Sequence, residues 1–117
     1  VNPARLFLFV LIAFGVFLLF RMILRLRGLP PEKISALKGA GAQVVDVRTR
    51  AEFSSGHAAG SLNIPLDQLE SRLGELDRAR PVLVCCATGS RSAFAKSVLQ
   101  SAGFAEVHNA GPWQRVR

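Results

Sequence analysis

The chain has 117 residues, a formal net charge of +7 and an apolar fraction of 50%. That length suits one domain and not comfortably two. Residues 1–30 carry four Arg and no acid, and residues 31–117 carry 11 Lys/Arg against 8 Asp/Glu, so more than half the excess charge lies in the leader. No interleaving of basic and aromatic residues accompanies it, which argues against a nucleic-acid partner.

Five of the eight Phe residues fall within the first twenty positions, and Leu6–Phe20 is free of charge. Extended to Leu26, the segment makes about 31 Å of helix at about 1.5 Å per residue, close to the thickness of a bilayer core. It is apolar on every face, which a buried helix of so small a protein does not need. Arg21 and Arg25 stand one turn apart, where their stems can snorkel to the headgroups. A secretory signal wants its charge before the apolar core and a small-residue cleavage site after it, whereas here Arg21, Arg25 and Arg27 follow the core. The expectation is therefore a single-pass anchor within residues 1–27, embedded through 6–26. The basic C-terminal flank places the following domain in the cytoplasm. Gly28-Leu29-Pro30-Pro31 reads as a linker, expected over 28–33, with a soluble domain over 34–117.

In the soluble part, Val44-Val45-Asp46-Val47 is a β-branched run entered from a Gly-rich turn, and predicts a buried strand. Gly60–Ile64 predicts a second, closed by Pro65. Leu66, Leu69, Leu73 and Leu76 recur at helical spacing. Pro81 opens Val82-Leu83-Val84-Cys85, the most apolar strand. Phe94, Ala95, Val98, Leu99 and Ala102 make one stripe of a helix ended by Gly103. Glu106-Val107-His108 is a last strand leading to Gly111-Pro112. Alternating elements of this kind predict an α/β fold, a small mostly parallel sheet flanked by helices on both faces. In such sheets ligands sit beyond the carboxyl ends of the strands.

That rule points to the loop Cys86-Ala87-Thr88-Gly89-Ser90-Arg91. Its small residues let backbone N–H groups converge, and with the start of the next helix they form an anion cradle. A thiol held there has its thiolate favoured. Arg91 adds a positive charge suited to an oxyanion. Cys85 and Cys86 are adjacent, with Cα atoms about 3.8 Å apart, too close for an ordinary disulfide. Strand alternation turns Cys85 away from the cradle, which predicts core filler, with a resolving or redox role as the alternative.

The C-x-x-G-x-R-S pattern of Cys86–Ser92 after an apolar strand resembles the active-site loop of the rhodaneses. Asp46-Val47-Arg48 with Glu52-Phe53 and Gly56-His57, followed by Gly60-Ser61-Leu62-Asn63-Ile64-Pro65, resembles that family's upstream segment, and the likeness runs from about residue 34 to 113. The resemblance implies a rhodanese-like fold and a two-step sulfur transfer. Cys86 would take a sulfane sulfur from a small anion such as thiosulfate, then pass the persulfide sulfur to a thiol or to cyanide. It implies no metal and no organic cofactor. Asp46 and Arg48 are expected to hold the sheet edge and loop rather than touch substrate, and His57 to be structural rather than a base. Ser92 supports the loop, and Trp113 either walls the pocket or covers the open end of the domain. Relatives commonly continue beyond the equivalent of Arg117, so a reduced covering helix and an open pocket are expected.

Two rivals share these residues. Cysteine phosphatases and arsenate reductases on the same scaffold use a wider C-x5-R loop, whereas four residues separate Cys86 from Arg91, favouring a sulfur atom over a bound phosphate. A non-catalytic membrane-tethered binding module would have no need of Cys86.

Overall fold

The computed structural model describes residues 2–117. Helix α1, Pro3–Arg27, starts where the Asn2 side chain accepts the Ala4 amide at 2.9 Å and Pro3 occupies the first turn. Pro is favourable there because that N–H has no partner inside the helix. Gly28 ends α1 in a conformation with φ 71° that suits glycine. Pro3–Leu24 contains an 18-residue stretch of mean hydropathy 2.7, and no side chain of that stretch is buried. The molecule measures 62 × 29 × 27 Å, with α1 accounting for the elongation.

The expected linker is shorter than the two prolines suggested. Pro31 opens helix α2 (Pro31–Gly39), whose Ile34 and Leu37 are buried, and Leu29 already packs against the core. The same property that makes proline stop a helix lets it start one.

Beyond α2 come β1 (Gln43–Asp46), α3 (Arg50–Ser54), β2 (Leu62–Asn63), β3 (Val82–Cys86), α4 (Ser90–Ser101) and β4 (Val107–Pro112). All strand pairs are parallel, in the order β2-β1-β3-β4. The predicted α/β class is observed, with a core on each side of the sheet. Val45, Val47, Val82, Val84 and Cys86 face α4 and the turns after β2, whereas Leu83 and Cys85 face α2 and the C-terminal turn Trp113–Val116. Alternation along β3 thus sends the two cysteines to opposite cores. Both are free thiols.

Several local expectations are corrected. Neither α2 nor α3 was anticipated, being short and weakly patterned. The second strand contracts to Leu62–Asn63. The leucine series after Pro65 forms two 3-10 segments, Leu66–Gln68 and Glu70–Glu75, with Arg72 outside helical geometry and Leu76 extended. Spacings of three and four serve 3-10 turns as well as an α-helix. Phe94 is 63% exposed, because the buried face of α4 centres on Ser92, Ala95 and Leu99.

Candidate active site

Cys86 is the last residue of β3 and is fully buried. Its Sγ accepts the Gly89 amide at 2.9 Å and lies 3.3 Å from Ser92 Oγ. Burial pushes its thiol upward, but the Ser92 hydroxyl and the Ser92, Gly89 and Thr88 amides favour the thiolate more, and the net displacement is downward. α4 begins at Ser90, adding the positive end of its dipole. Of the loop amides, that of Gly89 hydrogen-bonds Sγ, and those of Thr88 and Ser92 add to the field that favours the thiolate. Ala87, Thr88 and Ser90 are exposed at the mouth of the loop, where Thr88 Oγ1 and Ser90 Oγ stand 3.2 Å apart.

Gly89 is required twice over. Its φ is 106°, and a Cβ there would meet Gly111 Cα at 3.3 Å. The loop and the end of β4 are thus packed backbone against backbone.

Arg91 sits otherwise than its motif suggested. Its guanidinium forks onto Glu52, Nη1 to Oε1 at 2.6 Å and Nη2 to Oε2 at 2.9 Å. Its charge is therefore shared with a carboxylate and not free for a substrate. The pair ties the loop to α3, where Glu52 also accepts the Thr49 amide in a capping box. The Arg91 bond, then the Thr49 bond, lowers the Glu52 carboxyl to about 2.

Asp46 and Arg48 form a buried fork, with Nη2 to Oδ2 at 2.7 Å and Nε 3.0 Å from each carboxylate oxygen. Arg48 also donates to the carbonyls of Glu52 and Gly56, and its guanidinium lies 4.6 Å from the Trp113 ring centroid. Arg117 covers Trp113 at 4.8 Å. Trp113 thus closes the α2 side of the domain. His57 is exposed; its Nδ1 donates to the Phe53 carbonyl at 2.9 Å and its ring stacks on Phe53 at 3.8 Å, so its contacts belong to α3. Cys85 packs with Leu83 and Ala110, and burial, then the nearby Asp46, pushes its thiol up to about 12.

Sequence reasoning missed Asn109. Its Nδ2 donates to the Gly89 carbonyl at 3.0 Å, while its Oδ1 accepts the Gly111 amide at 2.9 Å and the Ser92 hydroxyl at 2.6 Å. A register shift in the β3–β4 pairing just past Asn109 aligns it with Val84 and Gly111 with Cys85. The available signal was an amide residue, poor in strands, immediately after Val107-His108.

Ser92 has one hydroxyl proton and three neighbours for it: Asn109 Oδ1, the Gly89 carbonyl and Cys86 Sγ. With the thiol protonated, S–H can donate to Ser92 Oγ; with the thiolate, the hydroxyl can turn to donate to sulfur. Ser92→Ala removes this adjustment while Asn109 still holds the loop. The expected result is about a tenfold slower iodoacetamide alkylation of Cys86 at pH 7, because less of the thiol is ionised there. The rates of variant and wild type should converge at high pH, and a pH–rate profile checks both.

Residues 30–110 match the family model described as the rhodanese-like domain. The chain belongs to the rhodanese-like domain family. It is 35% identical over 81 residues to the thiosulfate sulfurtransferase GlpE of Stutzerimonas stutzeri, covering 69% of this chain and 74% of that protein. A rhodanese-related protein from Thermoplasma volcanium superposes with a TM-score of 0.66 at 31% identity, covering 76% of this chain and 88% of that one. The human single-domain sulfurtransferase superposes with a TM-score of 0.60 at 31% identity, over 73% and 88%. The rhodanese-like domain thus carries a sulfurtransferase-like enzyme, with Cys86 at the end of its central β3 strand.

Proposed function

We propose that the protein is a membrane-tethered sulfurtransferase working through a Cys86 persulfide. The observation that carries this is the convergence of backbone amides and a buried hydroxyl on Cys86 Sγ, the environment a thiolate or persulfide anion needs. The thiolate attacks the outer sulfur of thiosulfate. A new S–S bond forms, the old one breaks, and sulfite leaves with its electron pair. An acceptor thiolate, or cyanide in an assay, then attacks the outer sulfur of the persulfide and releases Cys86 as thiolate. No proton donor is required at either step, which accords with His57 being engaged elsewhere. The amides around Cys86 stabilise the charge in both the resting and the loaded state.

The domain from about residue 34 to 117 would be held by the anchor in 1–27, on the cytoplasmic side. The apolar exposure of α1 and the three Arg in its last two turns support that placement.

The intact mass of the full chain in detergent after incubation with thiosulfate tests the chemistry. A gain of one sulfur, removed again by cyanide as thiocyanate, is expected. No adduct from thiosulfate or a polysulfide, together with turnover of a phosphate ester, would replace this reading by the phosphatase one.

A further inference from the structure

The connection between α1 and the sheet is short and locked. Gly28 ends the helix, and the carbonyl of Leu29 already accepts the Arg115 guanidinium, whose Nη1 donates to the Ala110 carbonyl at 2.8 Å. The Leu29 side chain packs into the core beside Trp113. One residue, Gly28, therefore lies between the helix end and a point fixed to the domain. At about 3.8 Å per residue, this keeps the domain close to the helix end.

The place of attachment matters more than its length. Arg115 lies against both Gly28 and Gly111, within 3.2 Å and 3.7 Å of where their Cβ atoms would be. Gly111 lies near the carboxyl end of β4, and its Cα is the atom that a Cβ on Gly89 would meet. The contacts run unbroken from the end of α1 through Arg115 and Gly111 to the Cys86 loop. A cavity of about 360 Å³ beside them is lined by Leu24 and Leu29, by Ala93 and Lys96 of α4, and by His108 and Asn109 of β4, of which Asn109 braces that loop. α1 thus leaves the domain at the end of the sheet that bears the cysteine.

Charge agrees with this placement. Arg21, Arg25 and Arg27 lie in the last two turns of α1, and Lys96, Arg115 and Arg117 lie on the neighbouring domain surface. Of the carboxylates at this end, Asp46 and Glu52 are paired with Arg48 and Arg91, and Glu32 stands exposed in the first turn of α2.

We propose that the mouth of the Cys86 loop faces the anionic headgroup layer of the bilayer that α1 spans, and that a sulfur carrier held at that surface exchanges with Cys86 in preference to one in bulk water. This rests on the anchor and persulfide readings above.

Trp113, the single tryptophan, follows β4 at the same end and reports the geometry directly. The full chain is reconstituted in phosphatidylglycerol-containing vesicles with nitroxide attached to lipid headgroups. Trp113 emission should fall at least twofold relative to unlabelled vesicles. Ten Gly/Ser residues inserted between Gly28 and Leu29 should restore it. Separately, the sulfur-loaded protein is offered phosphatidylthioethanol in the vesicle or a soluble thiol at equal total concentration. Transfer to the lipid thiol should be at least tenfold faster, with the advantage lost in the extended variant. Unquenched Trp113 in protein that floats with the vesicles would overturn the facing geometry, and equal rates would overturn the surface carrier. Protein that does not float would overturn the anchor itself. Quenching without sulfur loading from thiosulfate would leave the facing geometry standing and overturn the persulfide reading and its carrier.

Discussion

Cys86→Ser is expected to abolish sulfur loading and turnover, a loss of about a thousandfold or more, whereas Cys85→Ala should leave both within about twofold of wild type. The two thiols are neighbours in sequence and opposites in environment. Cys86 faces the Gly89 amide and the Ser92 hydroxyl, which favour the anion. A serine hydroxyl there would remain protonated at neutral pH, and its oxygen is a poor nucleophile toward sulfur. Cys85 lies among Leu83, Ala110 and Val116 on the other face, with its thiol pushed up to about 12. It is therefore neutral at any working pH and does not approach the donor. Thiosulfate-dependent sulfite release by the full chain in detergent, with intact mass for the loaded state, compares the two. Loss of activity in Cys85→Ala, with folding retained, would assign Cys85 a part in relaying sulfur.

Arg48→Met should destabilise the domain by about 3–5 kcal/mol, because it leaves the Asp46 carboxylate buried without its counter-ion. Asp46 is fully buried and Arg48 nearly so, and the guanidinium additionally satisfies two carbonyls and stacks on Trp113. Against a typical domain stability of about 5–15 kcal/mol, a loss of that size removes a large share of the total. Urea denaturation of the full chain in detergent should show a midpoint shifted to much lower urea. Arg48→Lys should also be destabilised, since a lysine ammonium cannot reproduce the fork. An unchanged midpoint in Arg48→Met would mean that the buried pair contributes nothing net to stability.

The apolar leader was legible because exclusion from water depends on composition along a continuous segment, and α1 occurs where the charge-free run lies. Strand β3 and the loop after it were equally legible: both are local, and small residues at the carboxyl end of an apolar strand have few other uses. The 3-10 turns after β2 were misread because apolar spacing of three and four does not distinguish hydrogen bonds of different reach.

The placement of Cys86 at a strand end, the alternation that parts it from Cys85, and the long apolar helix were set by the sequence alone, through the geometry of a single chain segment. The tertiary structure decided the rest. Arg91 is spent on Glu52, 39 positions away; Asn109 braces the loop from another strand; and Arg115 fastens the helix end beside the cysteine. Each of these depends on which strand lies next to which. Parallel pairing joins segments through crossovers whose order no local pattern encodes, so the charge that a motif seems to offer is assigned only when the chain has closed.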